Sequence, residues 1–447
     1  MNFAGFWKAP AKLTWHALAF AVLVVGGAEA ATANANAPPA GTAVAIGGAL
    51  KADNREVWSR LVELSGGKGS KWLVFPTAAG EPEKSAASII SALETYGATA
   101  VMLPLSARLK SHAVSDVVGD AGWIEQVNNA SAVYFTGGAQ ERITAALYDA
   151  TGKRTPLLEA IWQLFQRGGV VAGSSAGAAI MSETMFREPR DILTLMTEGA
   201  MRGSDIDRGL GFVGAGVLID QHFIKRGRFG RTLAVMAQEK IMLGIGVEEN
   251  SAAVFKGGRV EVIGERGVMV ADLTGATITS APLRLSNAKL HWLESGDAID
   301  LNTRMVDVSA AKRAGNKLDA ASASFKPYYS SVRFYADMLG DGDVINAMTT
   351  LIDSPALETR GIAFSVAKSG SGATARAALG FEFRLYKSEG THGYFHSAGG
   401  AEHYSVINLR LDLAPVKMAS PLYVPIADPK AGDNKDFSRE ASPREAK

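Results

Sequence analysis

From Thr42 onward, short apolar runs of strand length alternate with segments of helical periodicity. Ala43–Ile46 stops at Gly47-Gly48, Trp72–Phe75 at Pro76-Thr77, and Ala132–Phe135 at Thr136-Gly137-Gly138, with Ala100–Leu103 as a further run. Ser85–Tyr96 and Leu157–Gln166 carry apolar residues at helical spacing, and the second leads into the β-favouring run Gly168-Gly169-Val170-Val171-Ala172. Strand, helix, strand in this rhythm predicts an α/β fold with a mostly parallel sheet and helices on both faces. In such sheets function collects at the carboxyl ends of the strands.

Beyond residue 250 the pattern changes. Ala253–Phe255, Arg259–Ile263 and Val268–Ala271 are short runs separated by glycines, which predicts an antiparallel edge. It continues through Leu283–Leu285 and Leu290–Leu293 to about Val308, and Lys312–Lys317 then reads as a polar boundary. Residues 318–426 mix helix and strand signals, with strands expected at Ile362–Val366, Gly380–Leu385 and Ser405–Leu411. The expected organisation is therefore a domain over 42–308 and a C-terminal mixed α/β extension over 309–426. The charged, anchor-poor tail 427–447 is expected to be disordered.

The N-terminus reads differently. Lys8 and Lys12 precede the apolar run Leu18–Val25, which is followed by Gly26-Gly27 and Ala28-Glu29-Ala30. This is the layout of a secretory signal peptide over residues 1–30, cleaved near Ala30 or Ala31, with a linker over 31–41; a retained signal anchor is the alternative. The run is shorter than a membrane span requires, so no stable membrane insertion is expected and the mature chain is placed outside the cytoplasm. Removing residues 1–30 takes two lysines and one glutamate from 46 basic and 45 acidic residues, leaving 44 of each. A neutral chain argues against nucleic acid as a partner. With no cysteine there is no disulfide, no thiolate nucleophile and no cysteine-bound zinc.

Chemistry concentrates in Gly173-Ser174-Ser175-Ala176-Gly177, a Gly-x-Ser-x-Gly motif between the strand run and the helical start Ala176–Met181. A serine on such a corner projects its Oγ above the sheet, with the Ala176 amide beside the place where an oxyanion would form. A small-residue turn that only packs helix on sheet is the competing reading. The nucleophile needs a base, and among seven histidines His222 is the candidate, because Leu218–Ile219 turns abruptly polar at Asp220-Gln221-His222. His112 lies in a polar run. An orienting acid is available in Glu248-Glu249, again at the end of an apolar run, Gly244–Val247. The order serine, histidine, acid is not that of the α/β-hydrolases.

Two literal matches are set aside. Gly209–Gly214 fits G-x-G-x-x-G, but Ala215–Asp220 after it reads as strand where a dinucleotide site needs a helix. His392, His396 and His403 suggest metal only if they converge, and the glycines and serines around them make a regular helix a poor reading. Lys225-Arg226-Gly227-Arg228-Phe229-Gly230-Arg231 is either a solvated basic helix start or a carboxylate-binding cluster, and one of Arg226, Arg228 and Arg231 is alternatively structural, pairing with a carboxylate such as Asp220 and holding His222 in place.

Six blocks in order, Gly47-Gly48, Phe75–Ala79, Phe135–Gln140, Gly173–Met181, Asp220–Arg231 and Gly244–Ser251, resemble the cyanophycinase branch of peptidase family S51, which also contains aspartyl dipeptidase. The resemblance spans about residues 42–260. It implies a flavodoxin-like three-layer α/β sandwich and a triad of Ser175 as nucleophile, His222 as base and Glu249 as orienting carboxylate. It further implies an oxyanion hole from the amides of Gly138 and Ala176, and substrate contacts from Gln140, Asp220, Gln221, Arg226, Arg228 and Arg231. The implied substrate is cyanophycin, a polyaspartate whose β-carboxyls carry arginine, released as β-aspartyl-arginine dipeptides. The alternatives are an aspartyl or isoaspartyl dipeptidase and a secreted, non-catalytic polymer-binding protein. No cofactor or metal is implied, and a homodimer is left open. The family usually has Asp or Asn before the glutamine, where this chain has Ala139.

Overall fold

Five strands whose residues are almost all apolar form the centre of the molecule, because a parallel strand covered on both faces has no solvent side to keep polar. In the computed structural model, which describes residues 41–365, 379–419 and 422, they lie in the order Thr99–Met102, Lys71–Phe75, Ala132–Phe135, Val170–Ser174, Thr42–Ile46, all parallel. Ser251–Lys256, Arg259–Gly264, Ala298–Asp300 and Val306–Asp307 extend the same sheet antiparallel from the Thr42–Ile46 side. The expected signal peptide, nearly all of the linker and the tail 427–447 lie outside the described residues.

Helices cover both faces, which makes the three-layer, flavodoxin-like α/β arrangement. Arg55–Leu64 starts where Asn54 accepts from the Val57 amide, and Pro156–Gln166 starts where Thr155 accepts from Leu158, with Pro156 at the first turn. Trp58, Leu61 and Leu93 pack with Val44, Val74, Tyr134 and Ala172 on one face. Leu158, Ile161 and Phe165 pack with Ala45, Phe75 and Val171 on the other.

A second sheet was not foreseen. Its core path runs Val217–Gln221, Leu243–Val247, Val268–Asp272, Leu283–Leu293, Ala401–Lys417, His392–Ala398 and Asn316–Leu318. Only the first pair is parallel, with Gln221 opposite Val247. Ile245, Val247, Val268 and Val270 face the core shared with the first sheet, while Met269 and Ala271 face a separate core with Leu233, Met348 and Phe383. Val268–Asp272 therefore leaves the antiparallel edge on which the sequence placed it.

The boundary expected after residue 308 is crossed by this sheet, since Leu283–Leu293 pairs with Ala401–Lys417. Lys312, read as part of a polar divide, is buried, and its Nζ donates to Asp297 Oδ2 and Ser405 Oγ, each at 2.8 Å. A charged residue marks a boundary only when water is its partner, and here the partner is a buried carboxylate.

Candidate active site

The serine corner is built by its glycines. Ser175 follows the Val170–Ser174 strand at φ 54°, ψ −108°, a conformation a non-glycine residue holds only when its surroundings enforce it. A Cβ at Gly173 would lie 2.3 Å from the Gly177 carbonyl oxygen, and one at Gly177 would lie 2.2 Å from the Phe135 carbonyl oxygen. Both motif glycines thus allow the corner to close onto its neighbours. The Ser175 amide donates to the Ile46 carbonyl at 3.0 Å.

His222 arrives from the other sheet. It ends the Val217–Gln221 strand at φ 45°, and its amide donates to the Gly47 carbonyl at 2.7 Å. The imidazole then bridges the two sheets, with Nε2 2.9 Å from Ser175 Oγ and Nδ1 2.7 Å from Glu249 Oε1. Of the two adjacent glutamates, Glu249 takes the ring and Glu248 takes the backbone, accepting from the amides of Ile224 at 2.6 Å and Lys225 at 3.1 Å. That second role fixes the turn after His222, and nothing in the residue pattern distinguished it from the first. Asn250, not singled out in the sequence, closes the loop by accepting from the Lys51 amide and the Asn54 side chain.

Burial pushes the His222 pKa below its ordinary 6.5, and the positive charges of Arg226 and Arg228 add to this while Glu249 opposes it. A base must be neutral to act, so the acid limb of kcat/KM is expected below pH 6.5. Arg226→Gln removes one of the charges disfavouring imidazolium, so the limb should move to higher pH. A pH–rate profile of the two proteins checks this, and an unmoved or downward-moved limb would contradict it.

The amides of Gly137, Gly138 and Ala176 have no acceptor among the described residues. Gly138 sits at φ 141°, where a Cβ would lie 2.0 Å from the Ala78 carbonyl oxygen. The same carbonyl accepts from the Ala139 amide and from Arg142 Nη1, so the Phe75–Ala79 block holds the glycine turn. Ala139 occupies the cap of the Gln140–Leu147 helix without a side-chain hydrogen bond. An Asp or Asn there would cap it.

The expected substrate contacts divide. Arg226 is exposed and has no ion-pair partner among the described residues. Arg228 lies partly covered, donating to the Gln221 carbonyl at 2.8 Å, and burial pushes its pKa down to about 10. Gln140 Nε2 is committed to the carbonyls of Phe186 and Arg187. Gln221 is buried, with an unpartnered Oε1.

Asp220 and Arg231 do not line a cleft. They form a buried two-pronged pair, Nε to Oδ2 at 2.7 Å and Nη2 to Oδ1 at 2.6 Å, and the guanidinium lies 4.1 Å from the Phe186 ring centroid. The basic run straddles the start of the Phe229–Glu239 helix, so Arg231, in the first turn, reaches Asp220 at the strand end while Arg226, in the preceding loop, does not. His392–Ala398 is a strand, so His392 and His396 are separated along it and do not converge; His403 faces Glu294 Oε2 at 3.1 Å.

The family model described as peptidase family S51 matches residues 43–263. A cyanophycinase of Geminocystis herdmanii is 31% identical over 275 residues, covering 58% of this chain and 93% of that protein. One of Trichormus variabilis is 31% identical over 301 residues, covering 64% and 87%. Among solved structures, a peptidase from an acI-B1 Actinobacterium aligns with TM-score 0.41 and 23% identity over 58% of this chain and 96% of that one.

Proposed function

The chain belongs to peptidase family S51, and from that premise we propose that it hydrolyses cyanophycin to β-aspartyl-arginine dipeptides through an acyl-enzyme on Ser175. One observation carries the reading: a continuous Ser175–His222–Glu249 hydrogen-bonded chain beside three unengaged amides. His222 Nε2 takes the Ser175 proton as Oγ adds to the scissile carbonyl, and Glu249 stabilises the imidazolium through Nδ1. The amides of Gly138 and Ala176 receive the developing oxyanion. Collapse passes the proton from His222 to the leaving amine, and water then enters by the same route to release the acid and free Ser175.

Arg226 gives the site an exposed cation for the α-carboxylate that each arginine branch of the polymer carries, and Arg228 adds a second, partly covered positive charge near His222. We extend the proposal to compartment: Lys8, Lys12, the Leu18–Val25 run and Ala28-Glu29-Ala30 support export with cleavage near Ala30, which N-terminal sequencing of the mature protein tests.

Incubation with purified cyanophycin, followed by mass spectrometry of the soluble fraction, should give β-aspartyl-arginine as the main product. Cleavage of aspartyl or isoaspartyl dipeptides with intact polymer would replace this reading by a dipeptidase. Sedimentation with the polymer and no soluble product would replace it by a binding protein.

A further inference from the structure

Outside the S51 match lies a cavity of about 760 Å³ that the catalytic reading does not use, walled by Tyr328, Phe395 and Tyr404. Asp353 and Glu402 supply its carboxylates and Lys326 a cation. Asp353 is 4% exposed and terminates the Asp343–Ile352 helix, whose carbonyl end adds negative potential at the same point. It accepts from the Tyr328 amide at 3.0 Å and the Tyr404 hydroxyl at 3.2 Å, and among the described residues it forms no ion pair. Lys387, whose charge also acts on it, spends its ammonium on the Ser354 carbonyl at 2.6 Å. Burial accordingly raises the Asp353 pKa. A buried carboxylate at a helix carbonyl end, with Lys387 acting on it only from beyond ion-pair distance and an aromatic wall beside it, is an arrangement that an external cation would complete.

The geometry points to an arginine-binding site in which a guanidinium reaches Asp353 along the aromatic wall, and the free carboxylate of an N-acylated arginine meets Lys326. Each Asp353 oxygen has one further lone pair, which suits a two-pronged planar donor, and Phe395 and Tyr404, packed on each other with centroids 5.0 Å apart, form an aromatic wall beside it. Glu402, two residues from Tyr404 on one strand and so on the same face, adds a second carboxylate. Lys317 is not available to fill the site, being paired with Asp319 at 3.0 Å. The polymer of the proposed function repeats this ligand, arginine acylated on its α-amine with its carboxylate free; on that reading the cavity anchors polymer away from the bond being cut.

Calorimetric titration of the full chain carrying Ser175→Ala with Nα-acetyl-L-arginine tests the site itself. Adding Asp353→Asn should weaken binding by about tenfold or more, as loss of a charge-assisted pair does. Nα-acetyl-L-citrulline, of the same shape but uncharged, should not compete. Tyr328→Ala, at a side chain 80% exposed, should also weaken binding and does not depend on the Asp353 variant folding. Isotherms unchanged in both variants would overturn the site.

Sedimentation with insoluble cyanophycin separates this inference from the enzyme reading. If acetylarginine binding depends on Asp353 but the polymer is neither bound nor cut, the arginine site stands and the cyanophycin reading falls. If the polymer is cut while both variants bind acetylarginine like the parent, the enzyme reading stands and the site falls.

Discussion

Ser175→Ala is expected to lower kcat/KM on the order of 10⁴-fold or more, the scale on which nucleophile deletions act in serine peptidases. Only Ser175 among the described residues places a hydroxyl within hydrogen-bond distance of His222 Nε2, at 2.9 Å. The folded state should be unaffected, because the hydroxyl's one recorded partner is that imidazole and the corner is closed by backbone and glycine contacts. Ser174→Ala is the control. Its side chain follows Val170 and Ala172 on the strand face that packs with Tyr134, and it makes no hydrogen bond to His222, so activity should persist. Circular dichroism and product release would be measured together. A Ser175→Ala protein within tenfold of the parent, or a dead Ser174→Ala protein, would remove Ser175 from the reaction.

Gly48→Ala is expected to give the next largest loss of activity, at a residue with no chemistry of its own. A Cβ at Gly48 would lie 2.3 Å from both Cε1 and Nε2 of His222, and the residue sits at φ 104°, where alanine is strained. The ring must move off Ser175 to make room, and a displacement of about 1 Å in a catalytic group costs roughly 10²-fold or more. Gly66→Ala separates the two effects. Gly66 has φ 106° but nothing within 4 Å of its Cβ direction, so it should lose stability of about 1–3 kcal/mol without losing kcat. Equal kcat values for the two variants would mean that Gly48 does not hold the imidazole in place.

The clash at Gly48 also shows why part of the site was legible and part was not. Gly47-Gly48 was visible as the end of a strand, since breakers after an apolar run are a local signal. That its missing side chain is the space occupied by the His222 ring, 174 residues later by numbering, is a contact between sheets. Ser175 was readable in the same local way, because strand, glycine, serine and helix start are consecutive.

His222 and Glu249 were findable as polar residues closing apolar runs, while the division of labour between Glu248 and Glu249 followed only from the resemblance. Adjacent residues at a strand end point in different directions, and which one meets the ring depends on the register of Gln221 opposite Val247. The basic run shows the limit from the other side. Its composition announced cations beside His222, but the helix start at Phe229 sends Arg231 to Asp220 at the strand end and leaves Arg226 outside.

What the sequence determined by itself is what depends on neighbours in the chain: the apolar strands, the capped helices, the strained serine corner and the charge of each segment. What only the tertiary structure decided is which strand ends share a space. The second sheet takes strands from both sides of residue 308, so no local boundary signal describes it. Pairing between distant strands is selected by burial of whole faces, and a side chain's role follows from the face it is given.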